Sequence, residues 1–330
     1  MVYTIKDVAN KSGVSIGTVS KVLNNYPNVS EATKKKVMEA VRELNYIPNI
    51  TASNLSSKKK NRIALYIKTN NNRQWIDEIS MQYILGAFDC AKNDGLEIIT
   101  VFYKDSDNQK TDEIIAYFAS LGVSGIIVSG ITKDDTSVIK LIESGQFKIC
   151  VIDAPFISDN VSSIMIDHTK GQYEVAKKII NPSDDHNILY LAGGDNGYVT
   201  DMRIDGIKKL QEEYSFNLDI DYCNFSELTA YKTVLEKGLD YDAIVSASDM
   251  MAIGAINALV KLGVFKKVSG FDGITLLGYT ANGMYTCRQD FYTISYEAVK
   301  EMESLLNNGY GRMVRIDHDI CTIRHENIMT

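Results

Sequence analysis

The fold of the N-terminal region follows from residues 4–55, which read TIKDVANKSGVSIGTVSKVLNNYPNVSEATKKKVMEAVRELNYIPNITASNL. Apolar residues recur in this stretch at spacings of three and four, in three separate runs, and this period predicts three short helices. The runs are Ile5, Val8 and Ala9, then Val19, Val22 and Leu23, then Val37, Val41 and Leu44. Thr4, Ser15 and Ser30 precede the runs, where a hydroxyl can cap the first turn of a helix. The region is therefore expected to be an all-α domain.

A tight turn at Gly13 separates the first two predicted helices by the few residues typical of a helix-turn-helix unit. On the second helix, the faces that apolar residues leave free carry Ile16, Gly17, Thr18, Ser20, Lys21 and Asn24. Small hydroxyl, amide and cationic side chains of this kind suit a major groove and its phosphates. The period alone is equally consistent with the solvated face of any small helical domain.

Charge is divided unevenly along the 330 residues. Residues 1–60 hold ten Lys and Arg against four Asp and Glu, a net charge of +6, whereas the remainder holds 25 against 38, a net charge of −13. A small basic region can bind phosphate, while a large acidic body favours other partners. The distribution indicates a nucleic-acid-binding module joined to a body with a different role.

The N-terminal stretch resembles the DNA-binding headpiece of the lactose-repressor (LacI/GalR) family along its whole length. It combines D-V-A, G-V-S and T-V-S-x-V-L-N with V-S-x-x-T and N-Y-x-P-N at matching distances. The resemblance implies base contacts from Ile16, Gly17 and Lys21 on the second helix. It implies backbone-phosphate contacts from Thr4, Ser15, Thr18, Asn24, Ser30 and Thr33.

Two of the three base-contacting positions depart from the common family pattern. Lys21 stands where the family usually has Arg, and it offers a point charge in place of a planar fork with two parallel donors. Gly17 has no side chain, and Ile16 can make only apolar contact, for instance with a thymine methyl. The operator sequence therefore does not follow from the resemblance.

The segment after Pro48 is too short and too polar to form a stable helix alone. In the family it becomes a helix only on DNA, which implies hinge and minor-groove roles for Asn49, Ala52 and Leu55. Leu55 corresponds to the leucine that wedges between base steps and kinks the duplex. Without the family, Leu55 is more simply an ordinary packing contact between helix and body.

From residue 62 the chain alternates short apolar runs with longer amphipathic ones, a βα rhythm that implies parallel sheets. The rhythm restarts at SSIMID, so two similar lobes are expected, with a ligand in the crevice between them. GIIVSG, VIDAP, NILYLAGG and SASDMMAIG resemble the LacI/GalR effector domain. The predicted fold is an N-terminal all-α helix-turn-helix headpiece plus an α/β two-lobed, periplasmic-binding-protein-like (type I) effector domain.

Polar residues follow several predicted strands of the body: Asp153, Asp249 and Asp272, with Arg203 early in a helix. A carboxylate accepts from two neighbouring hydroxyls and Arg donates a fork, so the set suits a polyol. Asp153, Arg203 and Asp272 match family positions that hydrogen-bond effector hydroxyls. For Asp249 the alternative is stronger, namely that it caps the following helix.

Three further effector contacts are implied by the resemblance. Phe225 aligns with an aromatic residue that faces the sugar ring, and an aromatic face suits sugar C–H groups. Ser248 falls where many members place Asn, which shortens its reach. Trp75, the single tryptophan, lies in the loop after the first body strand, and ligand contact and an ordinary surface role are equally open for it.

Enzymatic motifs are absent from the sequence. Gly13–Gly17 matches G-x-S-x-G, but the nucleophile elbow requires a preceding buried strand. The four histidines, His168, His186, His318 and His325, have no metal spacing, and the five cysteines form no C-x-x-C pair. We expect reduced, structural cysteines, and no enzyme activity, metal or cofactor.

The expected domains are residues 1–47, the helix-turn-helix headpiece; 48–61, the hinge helix and linker; and 62–330, the effector and dimerisation domain. With no signal-like leader or apolar span, a cytoplasmic protein without membrane contact is expected. The chain stops soon after CTIRHENIMT, so no added tetramerising helix is expected. We expect a homodimer that binds double-stranded operator DNA, most simply a repressor controlled by a small sugar. The alternative is a catabolite-control-type regulator answering to a protein co-regulator or a sugar phosphate.

Overall fold

The computed structural model describes residues 4–23, 29–44, 46, 62–69, 78–104, 109–280 and 283–328. The predicted headpiece helices are confirmed as α1 (Ile5–Ser12), α2 (Ile16–Leu23) and α3 (Glu31–Glu43). Val8, Val19 and Val37, one from each helix, are fully buried against one another in the headpiece core. Gly13 ends α1 with a φ of 68°, a left-handed conformation that favours glycine and turns the chain towards α2.

The first lobe is a six-stranded parallel sheet flanked by helices. Its strands are β1 (Arg62–Lys68), β2 (Glu97–Tyr103), β3 (Gly125–Ser129), β4 (Lys148–Ile152), β5 (Val161–Ile166) and β11 (Met313–Ile316), in the order β11-β5-β4-β3-β1-β2. Its helices are α4 (Glu78–Asp94), α5 (Thr111–Leu121), α6 (Thr136–Glu143) and α12 (Phe291–Leu306).

The second lobe repeats this topology, apart from one antiparallel edge strand. Its strands are β6 (Asn187–Ala192), β7 (Asn217–Tyr222), β8 (Ala243–Ser246), β9 (Lys267–Asp272), β10 (Tyr285–Gln289) and β12 (His318–Thr322), in the order β12-β10-β9-β8-β6-β7. Its helices are α7 (His168–Ile179), α8 (Tyr198–Tyr214), α9 (Glu227–Lys237), α10 (Asp249–Leu262) and the short α11 (Leu277–Thr280). Short 3-10 turns occupy Gly238–Asp240 and His325–Asn327.

The expectation that the second lobe begins at SSIMID is wrong. This segment is β5, which pairs in parallel with β4 and belongs to the first sheet. The chain crosses between lobes three times, at Asp167, Asp290 and Asp317, each the single residue between two elements. A buried strand of either sheet has the same apolar composition, so β5 carries no sequence mark of the sheet it joins.

In both lobes the strand order reverses direction at the first strand, β1 in one and β6 in the other. Ligands of such sheets bind outside the carboxyl ends of the strands, near this reversal. The lobes share a continuous core, because Phe271 and Cys287 of the second lobe are buried among residues of the first, including Ile164 and Ile166. The carboxyl ends of β4 and β9 therefore lie on either side of one crevice.

Candidate functional sites

One face of α2 is open to solvent in the headpiece. Ile16 is 45% exposed, and Gly17 and Lys21 are exposed beside it, whereas Val19 and Val22 point into the core. Residues four apart lie on one helical face, so Gly17 and Lys21 are neighbours there. The three predicted base-contacting residues are thus together on one accessible surface.

The predicted phosphate contacts coincide with helix caps. The Thr18 N–H donates to Ser15 Oγ at 3.1 Å, and the two hydroxyl oxygens lie 2.9 Å apart. At the start of α3 the Thr33 N–H donates to Ser30 Oγ at 3.3 Å, and the hydroxyl oxygens of Ser30 and Thr33 lie 2.8 Å apart. Within each pair one hydroxyl donates to the other. The hydrogen of the accepting hydroxyl is therefore available to an outside acceptor such as phosphate.

Thr4 is engaged differently. Its N–H and its hydroxyl both donate to Asp7 Oδ2, each at 2.7 Å. These hydrogen bonds from Thr4 lower the pKa of Asp7, which keeps that carboxylate ionised. A phosphate contact donated by Thr4 would require one of these bonds to break.

Five predicted site residues lie outside the described ranges. They are Asn24, Asn49, Ala52, Leu55 and Trp75.

Three predicted effector residues have left-handed backbone conformations. The φ angle is 60° for Asp153, 55° for Phe225 and 125° for Asp272. Non-glycine residues seldom adopt positive φ, and such positions cluster at binding and active sites. Asp153 directly follows β4 and Asp272 is the last residue of β9, so each carboxyl group stands at the crevice edge of its own lobe.

A chain of polar contacts joins these carboxylates across the crevice. His168 Nε2 lies 2.9 Å from Asp153 Oδ1, and His168 Nδ1 lies 3.4 Å from both Nε and NH2 of Arg203. Arg203 NH1 lies 3.6 Å from Asp272 Oδ1, which also accepts from Gln289 Nε2 at 3.0 Å. The first lobe is thereby linked to the second through one histidine and one arginine.

Arg203 is only 4% exposed and is held from several sides. Its NH1 donates to the Ala247 carbonyl at the end of β8. Its guanidinium carbon lies 3.8 Å from the centre of the Phe271 ring and 5.9 Å from that of Phe225. Stacking on aromatic faces suits a guanidinium that has been removed from water. Arg203, Asp272 and Phe225 therefore meet at one point.

Ser248, and not Asp249, caps the helix that follows β8. Ser248 is the N-cap of α10, because its Oγ accepts from the Met251 N–H at 3.3 Å. Asp249 is buried as the first residue of that helix, and it does not cap it. Its Oδ2 accepts from the N–H groups of Gly273 and Ile274, at 2.6 Å and 2.9 Å. Asp249 thus holds the loop that follows Asp272.

Burial governs the titration of this cluster. It lowers the pKa of His168, although the neighbouring Asp153 acts in the opposite direction. It raises the pKa of Asp272 to about 8 and that of Asp249 to about 6, against the influence of Arg203. Burial also raises the pKa of Tyr83, whose hydroxyl donates to Asp153 Oδ2 at 3.4 Å. His168 and Tyr83 are therefore neutral at pH 7.

Two further sets of hydrogen bonds join the lobes. Glu78 of α4 accepts from the N–H of Thr275 at 2.9 Å and from its hydroxyl at 2.5 Å. The Asn196 side chain donates to Asp134 at 2.7 Å, while the Asn196 backbone carbonyl accepts from the Lys133 N–H at 2.9 Å. The lobes are therefore in contact at two places besides the polar chain.

His168, Tyr83 and Gln289 belong to this site but were not predicted. His168 follows the end of β5, so the strand-end reasoning that singled out Asp153 would also have found it. Gln289 is the last residue of β10, so the same reasoning would have found it too. Tyr83 lies inside a helix, where a buried polar residue gives no separate sequence signal.

The described part of the chain brings together no three His, Cys, Asp or Glu side chains as a metal-binding group. Among its helices, none is long and apolar enough to cross a bilayer. The crevice offers carboxylate acceptors, a guanidinium donor and aromatic faces. This combination suits a hydroxyl-rich ligand.

Comparison with known proteins agrees with this architecture. Residues 4–49 match the family described as "Bacterial regulatory proteins, lacI family", and residues 63–310 match "Periplasmic binding protein domain". The HTH-type transcriptional regulator RegA of Clostridium saccharobutylicum is 30% identical over 318 residues, which span 93% of each chain.

Two solved structures share the fold. A transcriptional regulator CelR–cellobiose complex has a TM-score of 0.73 at 21% identity, over 97% of this chain and 98% of that one. A Lac repressor dimer bound to operator and the anti-inducer ONPF has a TM-score of 0.65 at 22% identity, over 98% of this chain and 100% of that one.

Proposed function

Because the chain belongs to the lacI family of bacterial regulatory proteins, we propose that it represses transcription from a two-fold operator under the control of a small sugar. It is a DNA-binding transcriptional regulator and not an enzyme. The repressor role, the sugar and the residues that contact it are the proposed part. The domain division at residues 1–47, 48–61 and 62–330 is proposed with them.

The observation that carries the sugar assignment is the polar chain from Asp153 to Asp272. It places a carboxyl group of each lobe and the guanidinium of Arg203 at the carboxyl ends of the strands. Phe225 adds an aromatic face beside Arg203. Hydroxyl groups can donate to the carboxylate of Asp153 and can both donate to and accept from the protonated carboxyl group of Asp272, and ring C–H groups can pack on the aromatic face. The solved CelR–cellobiose complex, which has the same fold, holds a disaccharide.

The proposed operator contacts lie on the α2 face. Ile16, Gly17 and Lys21 would meet base edges, with Lys21 supplying the charged contact. The free O–H of each cap pair, Ser15 with Thr18 and Ser30 with Thr33, would donate to a phosphate.

We assign the pairing of two copies to an apolar stripe on α4. Met81, Leu85 and Phe88 are 55%, 51% and 45% exposed, and they recur at the spacing of one helical face. Large exposed apolar residues in a contiguous row mark an interaction surface. A two-fold dimer presents two headpieces to two half-sites of the operator.

The sugar would act by changing how the lobes close. Closure shifts the position from which each hinge segment leaves its body, and two hinge segments pair on DNA in only one arrangement. To weaken operator binding ~100-fold, the sugar must bind the DNA-incompetent arrangement about 2.7 kcal/mol more tightly.

The test is a thermal-shift screen of the purified chain against mono-, di- and trisaccharides and sugar phosphates. A ligand at about 100 times its Kd stabilises the folded state by roughly 2.7 kcal/mol, which raises the unfolding temperature measurably. We expect a hit among the sugars for the wild type and for Arg288→Ala, and no shift for Arg203→Ala. Arg288 is a matched control, since it pairs with Asp319 on the surface of the same lobe.

A blank screen would contradict the sugar assignment and favour a protein co-regulator. A hit confined to sugar phosphates would favour the catabolite-control type of regulation. A hit that Arg203→Ala retains would remove Arg203 from the site.

A further inference from the structure

His168 lies between the two lobes of the body and contacts side chains of both. It is the first residue of α7, directly after the chain crosses between lobes at Asp167, and its side chain is fully buried. Its two ring nitrogens face side chains from opposite lobes, Asp153 of the first and Arg203 of the second.

The neighbours of the imidazole determine its protonation state. Arg203 carries only donors and remains protonated, so His168 Nδ1 must accept from it at 3.4 Å. Asp153 Oδ1 is an acceptor, so His168 Nε2 must carry the proton and donate at 2.9 Å. Only the neutral Nε2–H tautomer satisfies both contacts.

We propose that His168, as a neutral Nε2–H imidazole, is the positioning residue that holds Asp153 and Arg203 in register across the crevice. This inference rests on the proposed function, in which those two side chains contact the effector. The imidazole occupies one lone pair of Asp153 Oδ1, and the Tyr83 hydroxyl approaches Oδ2. The remaining lone pairs of Asp153 can therefore accept only, which selects a ligand that presents O–H or N–H groups there.

The charged and titratable groups around the ring define the response to acid. Burial opposes the charged imidazole most strongly, Asp153 after β4 favours it, and Arg203 from α8 and Arg315 from β11 oppose it. A proton on Nδ1 would also point at the N–H donors of Arg203. Together these groups lower the pKa of His168 below the ordinary histidine value of about 6.5.

The experiment uses the full chain labelled with ¹⁵N-histidine, without ligand, and follows the imidazole nitrogens by NMR from pH 8 to pH 5.5. The His168 signals are assigned by their loss in His168→Gln. We expect the Nε2–H tautomer at pH 7 to 8, with the midpoint of any His168 titration below the ordinary histidine value of about 6.5. A charged His168 at pH 7, an Nδ1–H tautomer, or a titration midpoint at or above that value would overturn the assignment.

Two substitutions test the link across the lobes. Arg203→Met removes a cation and the donor to Nδ1, so His168 titration should move to higher pH and the Nε2–H tautomer should no longer be fixed. Asp153→Asn removes the anion that favours the charged imidazole, so His168 titration should move to lower pH, and the Nε2 signal should shift while Arg203 keeps Nδ1 unprotonated. Arg288→Met, a surface arginine of the second lobe, is the control and should leave both signals unchanged.

A cooperative unfolding transition confirms that each variant folds before its spectrum is interpreted. If the His168 signals of folded Arg203→Met and Asp153→Asn match those of the wild type, the positioning role is wrong. A blank sugar screen would contradict the proposed effector while leaving these ligand-free spectra unchanged, so the two failures are distinguishable.

Discussion

The side chains on α2 limit what the headpiece can recognise. Gly17 presents only backbone, and Lys21 presents a flexible ammonium that cannot make the planar two-donor contact of arginine. Ile16 adds an apolar surface that suits a thymine methyl. If these residues make the proposed base contacts, selectivity there depends on shape and on the single charge of Lys21.

Gly17→Ala should stabilise the headpiece by up to about 1 kcal/mol, because alanine is the better helix former. There is room for the added carbon, since the nearest atom, Ser15 Oγ, would be 3.8 Å away. Chemical denaturation measures the change, and selection from a random DNA pool should return a different preferred site. Gly13→Ala is the contrasting variant: its space is also open, but its φ of 68° makes the substitution destabilising. Equal effects of the two changes would refute this account.

Asp272→Asn should flatten the dependence of stability on pH. Burial raises the pKa of Asp272 from 3.8 to about 8, so the folded chain keeps a proton that the unfolded chain releases. The stabilisation is complete below pH 3.8 and is lost as the pH rises towards 8. Urea unfolding should show that the free energy of unfolding falls between pH 5 and pH 8 in the wild type. This fall should exceed the fall in Asp272→Asn by more than about 1.4 kcal/mol. Parallel curves would contradict the prediction.

At the scale of elements, what is local could be predicted and what depends on distant pairing could not. The apolar periods that include Val8, Val19 and Val37 each lie within one helix, so α1–α3 could be predicted from them. Asp153 and Asp272 stand at strand ends, and parallel sheets make strand ends meet. The lobe that β5 joins depends on its partner β4, and the contact between Tyr83 and Asp153 depends on how α4 packs. Neither leaves a pattern along the chain.

Glu78→Ala should open the crevice. It removes the hydrogen bonds that the Glu78 carboxylate accepts from Thr275 of the other lobe. Hydrogen bonds to a charged group contribute roughly 1.5–3 kcal/mol, so the closed-to-open ratio should fall about tenfold or more. Small-angle X-ray scattering should record a larger radius of gyration. Glu97→Ala is the control, because Glu97 pairs with Arg62 inside the first lobe. An unchanged radius in Glu78→Ala would show that this contact does not hold the lobes.

At the scale of the whole molecule, the headpiece region and the body carry opposite net charges. A headpiece region of net charge +6 can approach DNA, while a body of net charge −13 is repelled by it. In the proposed dimer, the bodies would hold two headpieces together at a distance from the duplex. The exposed stripe on α4 is the surface that we assign to this pairing.

Leu85→Lys should convert the proposed dimer to a monomer, because it places a charge at the centre of the Met81–Phe88 stripe. Analytical ultracentrifugation should show half the mass, and the affinity for a two-fold operator should fall far more than the affinity for a half-site. Tyr310→Lys is the control, since Tyr310 is exposed but lies outside the stripe. A Leu85→Lys chain that still sediments as a dimer would move the interface elsewhere.

The three crossings between the lobes have a mechanical consequence. Asp167 and Asp290 cap the helices that begin one residue later, accepting from the N–H groups of Lys170 and Thr293 at 3.0 Å and 2.9 Å. Regular structure thus resumes at once on either side of each crossing, and bending is confined to a few backbone dihedrals. Short connections of this kind permit rotation of one lobe against the other more readily than sliding. The crevice is therefore expected to open and close as a hinge at Asp167, Asp290 and Asp317.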